Sequence, residues 1–310
     1  MYIDNNWYSH RYIISKYCEV KNIPTFATIQ HGWISNQESE KFPIGARKIK
    51  SAPYLSWSDN IKKNAKKHGI ENIIPIGAPF LYLHHNLKKK KFNKTKIKGT
   101  ILFPSHSIKK MSNHSKFIQK IDKENMTKFI ENKFPSPYTV CLFYTDYTSQ
   151  NINFYKKKGW RIVCCGTRSD NSFLENLYKF LKLHKHIVCT DFTSALIYGM
   201  FLKKNCTLIR ELIVNKKKVK VQKRDYSKRI GKDVEEGIIQ ELKSRFPKLF
   251  NSYINNKSSY EFAKKELGFN YFKNKTKLKK IMGWDNKIKS IFARLISLLI
   301  SMKYDNDMKN

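Results

Sequence analysis

HIVCTDFTSALIYGMFLKKNCTLIR, residues 186–210, reads as strand, helix, strand. HIVCT (186–190) is a short apolar run with β-branched residues, closed by the turn-forming Asp191. Residues 193–203 carry a helical pattern that opens on the small hydroxyl residues Thr193 and Ser194. CTLIR (206–210) is then a second short apolar run. Two buried strands joined by one helix of this length are parallel neighbours, because parallel strands need a crossover and a helix supplies it.

The same alternation extends towards the N-terminus. GTILFP (99–104) is a strand and 115–132 a helical pattern; YTVCLFY (138–144) is a strand followed by a helix at about 150–158. WRIVCCG (160–166) is a strand leading to a helix over 171–182. This pattern predicts an α/β, doubly wound domain, with ligand bound beyond the C-terminal strand ends. The first hundred residues read as a shorter version of the design. A helix over 8–21 precedes the strand TFATI (25–29) and the loop QHGW (30–33); YLSW (54–57), a Lys-rich helix at 59–68 and NIIPIG (72–77) follow. The basic piece 86–99 reads as a linker, and 214–232 as a basic segment without periodicity, expected to be mobile. Helices are expected over 233–244, 257–267 and 275–282. The segment 286–303 has a broad apolar face punctuated by Lys and Arg, suited to packing on the body or lying in a membrane interface. The expected division is therefore 1–97, a partial N-terminal Rossmann-like domain with its linker; 98–232, a second Rossmann-like domain; and 233–310, C-terminal helices. By this pattern the N-terminal domain begins partway through its βα units, and a short or truncated version is expected.

Composition narrows the partners without naming one. Among 310 residues, 61 Lys+Arg stand against 24 Asp+Glu, a net charge of +37, which attracts polyanions, anionic membrane faces and phosphorylated substrates. An AT-rich coding bias produces the same excess of Lys. The 41% hydrophobic fraction supports a sizeable core. The six cysteines (Cys18, Cys141, Cys164, Cys165, Cys189, Cys206) include no CxxC and no Cys/His metal spacing. They read as free thiols of a reducing compartment, and no metal site is expected. With no apolar leader-like stretch and no run of eighteen apolar residues, the expected location is cytoplasmic.

Several strand ends carry chemistry. Gln30-His31-Gly32-Trp33 places an imidazole beyond a strand, where His31 suits general base or acid work and Gly32 allows close approach; a loop histidine bonded to backbone is the plainer alternative. Ser105, His106 and Ser107 follow ILF and suit phosphate oxygens, or equally a turn and helix cap. Asp191, Thr193 and Ser194 mark a helix start, where exposed amides attract anions; ordinary capping is the compatible alternative. Asp146 and Asp170 lie in two further strand-end loops, and Arg168 between them is able to clamp a phosphate bidentately.

The ordered set TIQHGW, YLSWSDNIKKNAKKHGIENIIPIGAPFL, ILFPSHS and IVCTDFTSALIYGMFLKKNCTLI resembles the GT-B glycosyltransferase and CDP-glycerol glycerophosphotransferase-like enzymes that build surface polysaccharides. The resemblance spans roughly residues 25–210, although the loop after His31-Gly32 continues as WISNQESE, without the family's basic and threonine residues. It implies a GT-B-like pair of Rossmann-like domains and His31 as the base that activates an acceptor. It also implies Ser105, His106 and Ser107 near a donor nucleotide, and Thr193 and Ser194 on its diphosphate. The expected activity is transfer of a sugar or sugar-like unit from a nucleotide-activated donor to a glycan or lipid-linked acceptor of capsule, lipopolysaccharide or teichoic type. No tightly bound cofactor is expected, and the basic segments would hold the enzyme peripherally on an anionic inner membrane face. The rivals are a nucleotide-sugar epimerase, a non-catalytic nucleic-acid-binding protein, and a degenerate transferase fragment. Against nucleic acid, the lysines are scattered and lack an aromatic-interleaved binding motif.

Overall fold

The computed structural model describes residues 7–21, 24–25, 27–30, 32–33, 53–67, 69–88, 98–105, 122–209, 211–214, 217–220, 232–286 and 291. The chain divides into two compact units: one of Met1–Lys91, Arg168–Leu174 and Lys264–Asn310, the other of Phe92–Thr167 and Glu175–Ala263.

The second unit holds a five-stranded sheet. In chain order its elements are β4 (Thr100–Phe103), α4 (Lys123–Lys133), β5 (Tyr138–Leu142), α5 (Ser149–Lys157), β6 (Arg161–Cys164), α6 (Phe173–Leu183), β7 (His186–Cys189), α7 (Ser194–Phe201) and β8 (Asn205–Leu208). The first two residues of α6 fall in the other unit. The strands pair in parallel in the order β6-β5-β4-β7-β8, so the strand that comes first in the chain lies in the middle. Successive strands build outward to one edge, and the chain then returns to build the other. The place where the direction reverses, between β4 and β7, is the topological switch point at which such sheets open a crevice.

Strand alternation assigns the helices to faces. Leu102, Val140, Leu142 and Val188 point to one side and pack with Met126, Ile130 and Phe134 from the α4 region and Tyr155 of α5. Ile187 and Cys206 point to the other side, where α7 lies so close that a Cβ on Gly199 would come within 2.8 Å of the Cys206 Sγ. Helices therefore cover both faces, as the alternating pattern predicts. Strands β4, β7 and β8 are short and buried along their whole length because helices cover both faces.

The first unit contains β1 (Thr28–Ile29), β2 (Tyr54–Ser56) and β3 (Ile73–Pro75), paired in parallel in that order. Its helices include α1 (His10–Cys18), α2 (Lys62–Lys67) and α3 (Pro79–Lys88). Tyr54 packs with Ile61, Ala65 and Ile70 around α2. Two glycines let loops touch. Gly77 has φ +81 and Gly268 φ +66; a Cβ on Gly268 would lie 1.7 Å from the Trp57 carbonyl oxygen. That oxygen also accepts from the Gly77 N–H at 3.0 Å.

Three sequence expectations change, and a fourth lies partly outside the described residues. The proposed linker at 86–99 begins inside a helix, because α3 runs to Lys88 on the buried side chains of Phe80, Leu81, Tyr82 and Leu83. The proposed mobile segment at 214–232 instead starts in an antiparallel hairpin, β9 (Glu211–Val214) with β10 (Lys217–Lys220). Of the helix expected at 115–132, the described part is Lys123–Lys133, capped by Asp122. The C-terminal helices do not form a third piece. Helices α8 (Lys232–Arg245) and α9 (Lys248–Asn251) belong to the second unit, where Ile254 bridges to Cys206, and α10 (Lys257–Glu266) belongs mostly to it. The following α11 (Lys275–Met282) belongs to the first unit. There Tyr82 and Phe272 stack at 4.4 Å, and Thr25 donates to the Met282 carbonyl at 3.0 Å. Phe262, Leu267, Leu278 and Met282 are all buried. The amphipathic segment 286–303 lies outside the described residues apart from Asn286 and Ile291.

Candidate functional site

At the switch point of the second unit the register brings Phe103 beside Cys189, so the residues just beyond them leave the sheet together. Thr190 ties the two exits. Its Oγ1 accepts the Ser105 backbone N–H at 2.8 Å and donates to the Ser105 Oγ at 3.3 Å, while its own N–H reaches the Phe103 carbonyl at 3.3 Å. Ser105 and Thr190 are both buried. Asp191, also buried, accepts the Phe192 N–H at 2.8 Å through Oδ1.

Helix α7 starts here without a side-chain cap, as α1 does after Ser9. Thr193 stands at its N-cap with extended backbone (φ −130, ψ 166) but makes no side-chain cap bond, its hydroxyl resting 3.9 Å from the Cys189 Sγ. By contrast, Asp122, Thr148 and Asn274 cap α4, α5 and α11 with their side chains. First-turn amides have no partner one turn earlier and are met by side chains, water, a ligand or a tighter backbone bond; here the Leu196 N–H bonds the Thr193 carbonyl at 3.1 Å. The Ser194 hydroxyl is turned along the helix to the Tyr198 phenol, whose pKa burial pushes up. Ser194 thus offers the site its backbone position rather than its hydroxyl. Burial likewise raises the Cys189 thiol to about 12, which keeps it protonated and inert.

Asp146 lies one strand over, in a helical turn over Tyr144–Asp146 after β5, its carbonyl accepting from Asn151 Nδ2 at 2.7 Å. Arg168 and Asp170 follow β6, the edge strand, and group with the first unit. The Arg168 guanidinium lies 5.1 Å from the Trp7 ring centroid, and its carbonyl accepts from Tyr8. Asp170 accepts from both the N–H and the hydroxyl of Ser172 at 2.8 and 2.7 Å, which holds its carboxyl below the usual range. The structure thus joins Ser105 with Thr190, Asp191, Thr193 and Ser194 on one sheet edge, and gives Arg168 and Asp170 local partners of their own. His106 and Ser107 lie outside the described residues.

His31 also lies outside them, but its neighbours are well defined. Gln30, buried at the end of β1, accepts the Trp57 N–H with Oε1 at 2.9 Å and donates from Nε2 to the Gly32 carbonyl at 2.8 Å. The Gln30 carbonyl meets Trp57 Nε1 at 3.2 Å and His10 Nδ1 at 3.1 Å. Trp33 donates from Nε1 to Glu266 at 2.6 Å. Residues on both sides of His31 are therefore braced by side-chain bonds. Sequence reasoning missed Gln30 and Thr190 as organisers. The available signal was a polar side chain directly at a strand end, where a buried amide on the next loop needs a partner.

Among the described residues no group of three or more His, Cys, Asp or Glu is placed to hold a metal ion. No described helix is long and apolar enough to cross a membrane. No protein-family model matches the chain, and no curated protein matches it. Among solved structures it shows similarity to UDP-GlcNAc 2-epimerase from Neisseria meningitidis bound to UDP-GlcNAc, at a TM-score of 0.33 and 10% sequence identity. That match covers 69% of this chain and 59% of the epimerase, less than two thirds of the latter's length. A likeness of that size carries no weight for fold or chemistry, which rest on the strand order and contacts above.

Proposed function

We propose that the chain is a transferase that moves a sugar or sugar-like unit from a nucleotide-activated donor onto a glycan or lipid-linked acceptor. One observation carries the reading: the Ser105–Thr190 contact beside the start of α7, where no side chain of the N-cap residue occupies the first turn. A helix N-terminus at a switch point suits a diphosphate, and Ser105 adds a hydroxyl from the facing loop. The Asp191 carboxylate repels phosphate but accepts hydroxyl groups well, so it suits a ribose or the sugar itself. Amides aimed at the departing diphosphate stabilise its charge without a metal. His31, between the braced Gln30 and Gly32, is the proposed base for the acceptor hydroxyl. His106 and Ser107 are proposed to line the donor site with Ser105. The excess of Lys favours an anionic surface or substrate, worth roughly 1 kcal/mol per well-placed cation at a membrane.

The test is a thermal-shift screen against CMP-, CDP-, UDP- and GDP-linked sugars, followed by product analysis with the donor that binds. A donor at a hundred times its Kd adds about 2.7 kcal/mol of stability. Transfer to an acceptor supports the reading. An epimerised sugar nucleotide formed with no acceptor replaces it with isomerase chemistry. Salt-sensitive binding of RNA or DNA with no shift from any donor overturns both. His31→Ala is expected to abolish transfer and leave donor binding unchanged.

A further inference from the structure

Two thiols of the second unit face each other across the sheet. Cys141 Sγ, on β5, lies 3.5 Å from Cys165 Sγ, just beyond the end of β6. Both residues are buried, at 7% and 4% exposure. The register explains the meeting. Cys141 pairs with Val163, and side chains alternate, so Val163, Cys165 and Cys141 share one face while Cys164, which pairs with Leu142, takes the other. The Cys164 sulfur is engaged with the Gly166 N–H at 3.4 Å.

We propose that Cys141 and Cys165 are a reversible dithiol–disulfide pair that responds to a small peroxide. The sulfurs need to close from 3.5 Å to a bond of about 2.05 Å; because Cys165 stands two residues past the partner of Cys141, closure also draws the backbone at the end of β6 towards β5. One thiol attacks the peroxide, the O–O bond breaks, and a sulfenic acid and one water form. The second sulfur then displaces the hydroxyl as another water and the S–S bond closes. The two thiols lose two electrons and two protons in all, and the peroxide takes both. A low-molecular-weight dithiol reverses the step by exchange. Burial excludes bulky oxidants, and contact with Cys165 and desolvation push the Cys141 thiol pKa up, so attack goes through the minor thiolate form and is slow rather than blocked. The pair is therefore quiet towards weak oxidants. Once closed, it would tie the exits of β5 and β6, which lead to the loops at 143–147 and 166–167 on the same sheet edge as Ser105 and Thr190.

The experiment needs no knowledge of the activity. The fully reduced, folded chain is treated with near-stoichiometric hydrogen peroxide, remaining thiols are alkylated, and peptides are mapped by mass spectrometry. The expected result is a cross-linked pair of peptides containing Cys141 and Cys165, two hydrogens lighter than their sum and released by dithiothreitol. Cys141→Ser and Cys165→Ser should each abolish it. If either variant fails to fold, the map of the unaltered chain still decides. Sulfinic acid without a cross-link, or a cross-link made through Cys164 instead, would overturn the proposal.

Discussion

Single atoms hold this site together, so its sharpest tests are single substitutions. Thr190→Val keeps the shape of the side chain but leaves the buried Ser105 N–H without its acceptor at 2.8 Å. A buried donor left unsatisfied costs about 1–3 kcal/mol, so urea unfolding should show a loss of that size, with weaker donor binding in the same variant. Gln30→Glu replaces an amide donor with an oxygen facing the Gly32 carbonyl. It is expected to lower stability by about 1–3 kcal/mol while Gln30→Ala, which removes the repulsion, shows which part is electrostatic. Gly268→Ala meets backbone rather than a yielding side chain, at 1.7 Å from the Trp57 oxygen, and also forces a left-handed φ on alanine. A loss of about 3 kcal/mol or more is expected by calorimetry.

Elements, not residues, set the response to pH. At the start of β7, His186 receives a hydrogen bond from Asn205 Nδ2 at 3.3 Å; His184, just before it, bonds Phe180 O at 2.7 Å and Thr139 Oγ1 at 2.9 Å. Desolvation lowers both imidazole pKa values below the ordinary 6.5. In the unfolded chain they protonate below about pH 6.5, whereas the folded chain resists the charge, so the unfolded state binds more protons there. Stability should be level with respect to these groups above pH 6.5 and fall as the pH drops below it. Lys204 adds a second rise of the same sign at the alkaline end. Burial lowers it to about 8, so stability should rise as pH goes from about 8 towards 10.5, where the unfolded chain still carries that proton. A series of melting curves from pH 5 to 10 checks both limbs; a flat acid limb would remove the histidines from the account. The strands and helices of 98–210 were legible locally because period and length already distinguish them. The hairpin of β9 and β10 was not, since its lysines imitate a polar linker.

For the whole molecule the governing quantity is the net charge of +37. Self-repulsion of that size opposes the compact state and is screened over about 8 Å at physiological ionic strength. Raising salt from a few millimolar to that level should therefore increase the melting temperature, and the gain should be larger with sulfate or phosphate if an anion site exists. Partition of the C-terminal helices between two compact units was beyond sequence reasoning. From the sequence α8 and α11 read alike as C-terminal helices, and helical period does not say which unit each packs on.

By itself the sequence determined an alternating parallel α/β design, free thiols and a strongly basic character, because each depends on local period or composition. Tertiary structure alone decided the strand order β6-β5-β4-β7-β8, and with it the meeting of Ser105 and Thr190 across 85 residues of chain. A strand's periodicity records which faces are buried, but not which other strand lies beside it. That choice belongs to the packing of all the crossovers at once.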